Sequence, residues 1–424
     1  MGSIGSGKVS YSYWILLAGF LTLFVMTGVG FYAFGVFFKP IQVEFGWGRG
    51  VTSVAFLMFY FVQALSSPFI GRLTDRYGPK TMITVGGVVV GLGLFLLSLT
   101  SSLLHFYVAY GITGLGVSAM GMIPVSSVVS NWFVKRRGSA MGIVTAGMGT
   151  GGLVLPLIIG IYLIPNFGWR TAYQALILLS LFVIVIAQVV IRNRPDDAEL
   201  GSDGVKRSGE VKAVSRSSDG WTLGSTLRMS VFWLITGAFV LFNLGQVGTS
   251  QHLIVHLTDI GFTLDIATVI FSAVNITSAV GKLFFGYISD RFKVEYCAMM
   301  GFLLGLAGTV VLILVDPSSS IVLVGLYILT MGLAVGCWAP LTSMIIGNTF
   351  GMTHYATIFG AFSLFFYMGT GTSPTFFGIV YDTTHQYFLA YASALVFYSV
   401  ATVLMLALLR LKRRSASLGA TQKG

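Results

Sequence analysis

A lysine stands inside an apolar stretch of this chain with no acid in reach. Lys282 lies in the run AVNITSAVGKLFFGY, and all 14 aspartates and glutamates fall in polar loops or at the ends of apolar runs. An ammonium so placed must lose its proton, reach water, or take its counter-charge from a molecule that arrives from outside. The third case is an anion-binding site. Asn275, Ser278 and Lys282 are spaced i, i+3 and i+7, so on a helix they share one face and offer two hydrogen-bonding groups beside one positive charge. The competing reading is a lysine whose stem snorkels to the lipid headgroups, since Gly286 and the polar stretch after it begin about 6 Å away along a helix.

Further along, His252 and His256 are spaced i and i+4, beside Asn243, Gln246 and Gln251. That spacing suits a metal, but no third ligand is visible, so no metal site is expected; His252 is instead a candidate proton site. Paired carboxylates, a nucleophile elbow and a phosphate loop are not found, so neither an enzyme nor a cofactor is expected.

The elements that must position these groups are dictated by composition. Apolar residues make up 55% of the chain and charged residues 9%, against about a quarter charged in soluble domains. Crossing a bilayer takes roughly 20 apolar residues per helix. Twelve runs meet that need, near 13–38, 51–71, 81–99, 103–130, 138–162, 170–191, 230–257, 264–288, 295–315, 320–346, 355–380 and 386–409. With both termini cytoplasmic, about 21 of the 25 lysines and arginines fall on the cytoplasmic side, and only Lys39, Arg49 and Arg170 fall outside. The net charge of +11 is thereby a topology signal and needs no nucleic-acid partner. A multi-pass protein of the plasma (inner) membrane is expected, with no cleaved signal peptide. Cys297 and Cys337 lie within runs and read as packing residues.

The long polar segment 192–228 divides six runs from six, so the expected domains are 1–191, a cytoplasmic linker 192–228, 229–410 and a tail 411–424. Matching landmarks recur in the two halves, as in transporters built from repeats. GRLTDRYGPK begins at Gly71 and GYISDRFK at Gly286; YGITGLGVSAMGMIP in run four faces LTMGLAVGCWAP in run ten; and FGWRTAY opens run six as HQYFLAY opens run twelve.

Gly71, Asp75, Arg76 and Gly78 resemble the GxxxDRxGRR loop signature of the major facilitator superfamily. The resemblance covers essentially the whole chain. It implies an all-α membrane protein of twelve helices in two pseudo-symmetric six-helix halves. It also implies that this loop acts as a gating charge lock, for which Gly71, Asp75, Arg76, Asp290, Arg291, Lys135, Arg136 and Arg137 are the candidates. A carboxylate beside an arginine at a helix end is a breakable salt bridge, though charges there also simply fix topology. NWFVKRRGSAMGIVTAGMGTGG, from Asn131 to Gly152, is similar to the signature of monocarboxylate transporters and of bacterial relatives that include oxalate/formate antiporters.

In those relatives an arginine one turn before the loop glycine of helix eight engages the substrate carboxylate, a position that Lys282 occupies here. A lysine that some members carry in the first helix is replaced near Gly35 and Val36, an aspartate near Ser278 is missing, and Phe366 stands where the antiporters place a second lysine. The implied partner is a small organic anion, lactate or pyruvate among the simplest, often moved with protons. The substrate-binding residues expected are Lys282, Asn275 and Ser278, walled by Tyr32, Tyr110, Met120, Met148, Trp338, Phe362 and Phe366. The expected protein is a monomeric carrier working by alternating access; an anion exchanger, an exporter of amphipathic compounds and a membrane anion sensor are the rival readings.

Overall fold

The computed structural model describes residues 11–194 and 221–421, without the side chains of Arg49 and of residues 414–421. Among the described residues every regular element is helical, and twelve helices are long enough to cross a bilayer. These are α1 (Tyr11–Phe45), α2 (Arg49–Tyr77), α3 (Pro79–Ser98) and α4 (Leu103–Trp132), then α5 and α6 within Arg137–Val189. They continue with α7 (Ser230–Asp259), α8 (Leu264–Ser289), α9 (Val294–Leu314), α10 (Ile321–Phe350), α11 (Tyr355–Thr384) and α12 (Phe388–Thr421). The run Arg137–Val189 counts twice because Gly168, at φ 78°, ψ 163°, breaks it; only glycine adopts that backbone without strain. We take α5 as 137–167 and α6 as 169–189.

Each expected run therefore becomes one helix, and several helices run longer than expected. α12 continues as helix through Thr421 where a tail from 411 was expected. Of the linker expected at 192–228, residues 195–220 lie outside the described residues; its last part holds a short turn of helix, Leu223–Leu227, capped by Thr222. Residues 1–10 also lie outside.

Helices α1–α6 pack among themselves, as do α7–α12, and the two groups meet along α2 against α11 and α5 against α8. Glycine makes both seams possible. A Cβ on Gly71 would stand 2.1 Å from the Ala356 carbonyl oxygen, and one on Gly142 would stand 2.6 Å from that of Lys282. Such backbone contact is the close approach small residues permit between membrane helices. Both seams lie toward the end of the bundle that carries the basic loops, here called the basic end.

Two of the helices depart from α geometry along their length. α1 passes through a π segment at Gly28–Tyr32, and α5 through another at Ile158–Leu163. A π turn inserts one residue into the helical register and re-aims the side chains around it. In α4, Gly121 (φ −88°, ψ −140°) separates Leu103–Met120 from Met122–Trp132.

Candidate functional site

A cavity of about 140 Å³ lies between the halves, lined by residues of α1, α2, α4, α5, α7, α8, α10 and α11. Lys282 lines it and is 4% exposed, with its ammonium 3.2 Å from the Ser278 hydroxyl. Of the two postures open to this side chain, the inward one is taken. Among the described residues the ion pairs are Arg170 with Glu44 and Lys412 with Glu295, so Lys282 has no carboxylate partner there. A buried, unpaired ammonium costs several kcal/mol, which an arriving anion would offset.

The sequence-derived candidates divide at this point. Tyr32, Met148, Ser278, Lys282, Trp338 and Phe366 share the cavity. Asn275 stands just above it, lining a second cavity of about 470 Å³ whose rim residues Gly35, Ser53, Gln251 and Thr375 are exposed. Tyr32, carried inward by the π segment, lines both cavities and donates a hydrogen bond of 3.2 Å to Asn275 Oδ1, bridging the two halves.

Three expected wall residues are elsewhere. Tyr110 is buried in the first half, its hydroxyl 2.9 Å from that of Tyr173 and its ring edge-on to Phe34, because a buried phenol needs a polar partner and α6 supplies one. Met120 faces α3, where a Cβ on Gly86 would meet its backbone nitrogen at 2.4 Å, and Val117 lines the cavity one turn earlier. Phe362 is stacked between Phe359 and Phe366 and packs on Phe239 of α7, below the cavity.

Other lining residues were not among the expected substrate-binding set, although Asn243 and Gln246 stood out as polar groups in run seven. Tyr60, Gln63 and Thr370 face the cavity, and Asn243 ties α7 to α11 by donating to Thr370 Oγ1 (2.6 Å) and the Phe366 carbonyl (3.2 Å). A polar residue within an apolar run marks a candidate, but which ones converge depends on packing. His252 lines the outer cavity, with Nε2 2.9 Å from the Pro374 carbonyl and Nδ1 3.1 Å from the Tyr387 hydroxyl. A carbonyl only accepts, so Nε2 carries the hydrogen and Nδ1 takes the one from Tyr387. His256 turns away, its ring edge-on to Tyr387 and Tyr391.

The loop carboxylates do not form the expected salt bridge with the arginines beside them. Asp75 accepts from the amides of Ala356 (3.1 Å) and Thr357 (2.8 Å) and from the Thr357 hydroxyl (2.6 Å) at the start of α11. Asp290 does the same at the start of α5, with the amides of Gly138 (2.6 Å) and Ser139 (2.8 Å) and the Ser139 hydroxyl (2.6 Å). Each carboxylate thus meets the free amides and positive end of a helix in the other half. Arg76 and Arg291 instead lie over the Tyr77 and Tyr287 rings, at 5.2 and 4.2 Å. Arg137 is buried against α10, its Nη1 2.8 Å from where a Cβ of Gly347 would stand, while Lys135 and Arg136 occupy the α4–α5 turn.

Comparison with known proteins agrees with this architecture. The family model described as Major Facilitator Superfamily matches residues 20–374 and 258–423. The crystal structure of a Major Facilitator Superfamily transporter, FucP, in the outward conformation superposes with a TM-score of 0.71 at 15% identity, covering 94% of this chain and 99% of that one. Among curated proteins, an oxalate:formate antiporter of Oxalobacter formigenes is 26% identical over 68% of this chain. Monocarboxylate transporter 13 of Bos taurus is 26% identical over 66%, and monocarboxylate transporter 12-B of Danio rerio 24% over 92%. The matched stretch spans 65% and 62% of the first two relatives' own lengths, just under two thirds, and 87% of the third. This multi-pass membrane protein belongs to the Major Facilitator Superfamily.

Proposed function

We propose that this transporter carries a small monocarboxylate, of which lactate and pyruvate are the simplest, across the plasma membrane by alternating access. The observation that carries the reading is Lys282, one buried ammonium on the central cavity with no acid beside it among the described residues. One cation matches one carboxylate, and Phe366, an apolar ring, occupies the neighbouring wall. At about 10–15 Å³ for each water-sized group, the 140 Å³ cavity admits a three-carbon acid together with a few waters. Relatives named as monocarboxylate transporters and as an oxalate:formate antiporter support an organic anion.

The basic loops support a cytoplasmic closed end, with the cavity offered to the outside here. Substrate neutralises the lysine, the halves rock about the fixed site, and the anion leaves on the other side. His252, bordering the approach, is the proposed proton site, and a monomer suffices for the cycle.

The test is uptake of labelled lactate and pyruvate into proteoliposomes, with and without an inward proton gradient, by the parent, Lys282→Gln and Lys282→Arg. Loss of a charged hydrogen-bonding partner corresponds to roughly 10- to 100-fold in uptake, with Arg retaining a larger share than Gln. Equal uptake by all three proteins would remove Lys282 from the site. Exchange of anions, as the name of the Oxalobacter relative indicates for that protein, is the second reading. It requires anion on both faces, and counterflow distinguishes it from symport.

A further inference from the structure

A groove of about 400 Å³ at the basic end lies apart from the transport path. It runs between the halves, bordered by Tyr13 of α1, Arg136 and Ile143 around the start of α5, and Tyr287, Asp290 and Arg291 at the end of α8. Both arginines are exposed, and they come from opposite halves. Asp290, the one acid in the lining, is already engaged by the amides and hydroxyl at the start of α5. Among the described residues neither Arg136 nor Arg291 has a carboxylate within ion-pair distance.

Apart from Ser139, which Asp290 engages, the rest of the groove is lined by apolar and aromatic side chains. Tyr13 is 57% exposed, Tyr287 49% and Ile143 42%. Leading away from Tyr287 along α8, Leu283, Val280 and Ile276 are also exposed, at i−4, i−7 and i−11, which is one continuous face. Tyrosines beside arginines mark the depth of the headgroups, and the apolar face continues into the hydrocarbon. Two guanidiniums at the head of an apolar track match an amphipathic anion, and guanidinium forks suit phosphate oxygens in particular.

We propose that this groove seats an anionic phospholipid of the leaflet facing the basic end, its phosphodiester held between Arg136 and Arg291 and an acyl chain lying along the α8 face. Because the two cations belong to different halves, the bound lipid straps the basic end shut. Rocking the halves apart separates the arginines, so the lipid biases the transport cycle toward the state seen here. This site depends on the membrane-embedded fold and is independent of which cargo Lys282 meets.

The experiment compares the full-length parent, an Arg136→Gln/Arg291→Gln pair and an Arg136→Lys/Arg291→Lys pair in phosphatidylcholine nanodiscs with or without phosphatidylglycerol. Retained lipid is read by native mass spectrometry, and spin-label distances across the basic end report its closure. Phosphatidylglycerol is expected to be retained by the parent and to increase its closed fraction. Losing both charges should weaken retention roughly 30-fold, while the lysine pair recovers most of it. Glycerol phosphate in solution should leave the distances unchanged, and a shift equal to that of the lipid would overturn the lipid assignment in favour of a soluble phosphate. Retention by the glutamine pair equal to the parent's would overturn the site. Should that pair fail to fold, the parent alone decides: equal retention of the two lipids, or equal distances in both, refutes the proposal.

Discussion

Asp75 on α2 and Thr357 on α11 are 282 residues apart in sequence, yet one carboxylate oxygen of Asp75 accepts both the backbone amide and the hydroxyl of Thr357, at 2.8 and 2.6 Å. Asp290 repeats the pair on Ser139 at the same two distances. The internal repeat thus appears as a reciprocal exchange: each half offers a carboxylate to the first turn of a helix in the other. A helix start leaves amides unsatisfied, and here the carboxylate of the opposite half reaches them only while the halves are together.

Replacing Asp75 or Asp290 with Asn should therefore open the basic end without unfolding either half. Hydrogen bonds to a charged group contribute about 1.5–3 kcal/mol, so each substitution shifts the closed-to-open ratio by roughly 10- to 100-fold. Spin-label distances between the basic ends of α2 and α11 and of α5 and α8 measure it. An unchanged distribution in the double variant would show that the caps form after closure and do not hold it.

Gly71→Val should act more severely than Asp75→Asn. A Cβ at position 71 meets the Ala356 carbonyl at 2.1 Å, and backbone cannot swing aside as a long side chain does. Closure at the basic end should be lost, and thiol labels placed on the seam should react at least tenfold faster, while the circular dichroism of the helices stays unaltered.

Tyr32→Phe removes the bridge to Asn275 and leaves the ring in place. A neutral hydrogen bond contributes about 0.5–1.5 kcal/mol, so a two- to tenfold change in the KM for uptake is expected. Asn275→Ala should produce a similar change, and the double variant should be no worse than the more affected single one. Additive losses would mean that the two residues act independently.

His252→Gln should uncouple uptake from the proton gradient while counterflow persists. The Tyr387 hydroxyl holds Nδ1 at 3.1 Å, so Tyr387→Phe should lower gradient-driven uptake without abolishing it. Gradient-driven accumulation by His252→Gln at the parent's level would remove the histidine from coupling.

Much of this molecule can be read segment by segment. The apolar runs, the basic loops and the isolation of Lys282 are each properties of a stretch of some 20 residues, and hydrophobic length or the cost of a buried charge acts on such a stretch wherever it packs. The twelve helices and the candidacy of Lys282, Asn275 and Ser278 were legible for that reason. Only the assembled bundle decides which way a side chain on those helices faces. Tyr110 found Tyr173 and Met120 found α3, while Tyr32 reached the cavity because a π turn re-aimed it. In the same way Asp75 and Asp290 bind helix starts rather than the arginines beside them. Helical periodicity places residues on a common face but leaves open what that face meets, and here each partner lies tens to hundreds of residues away in the chain.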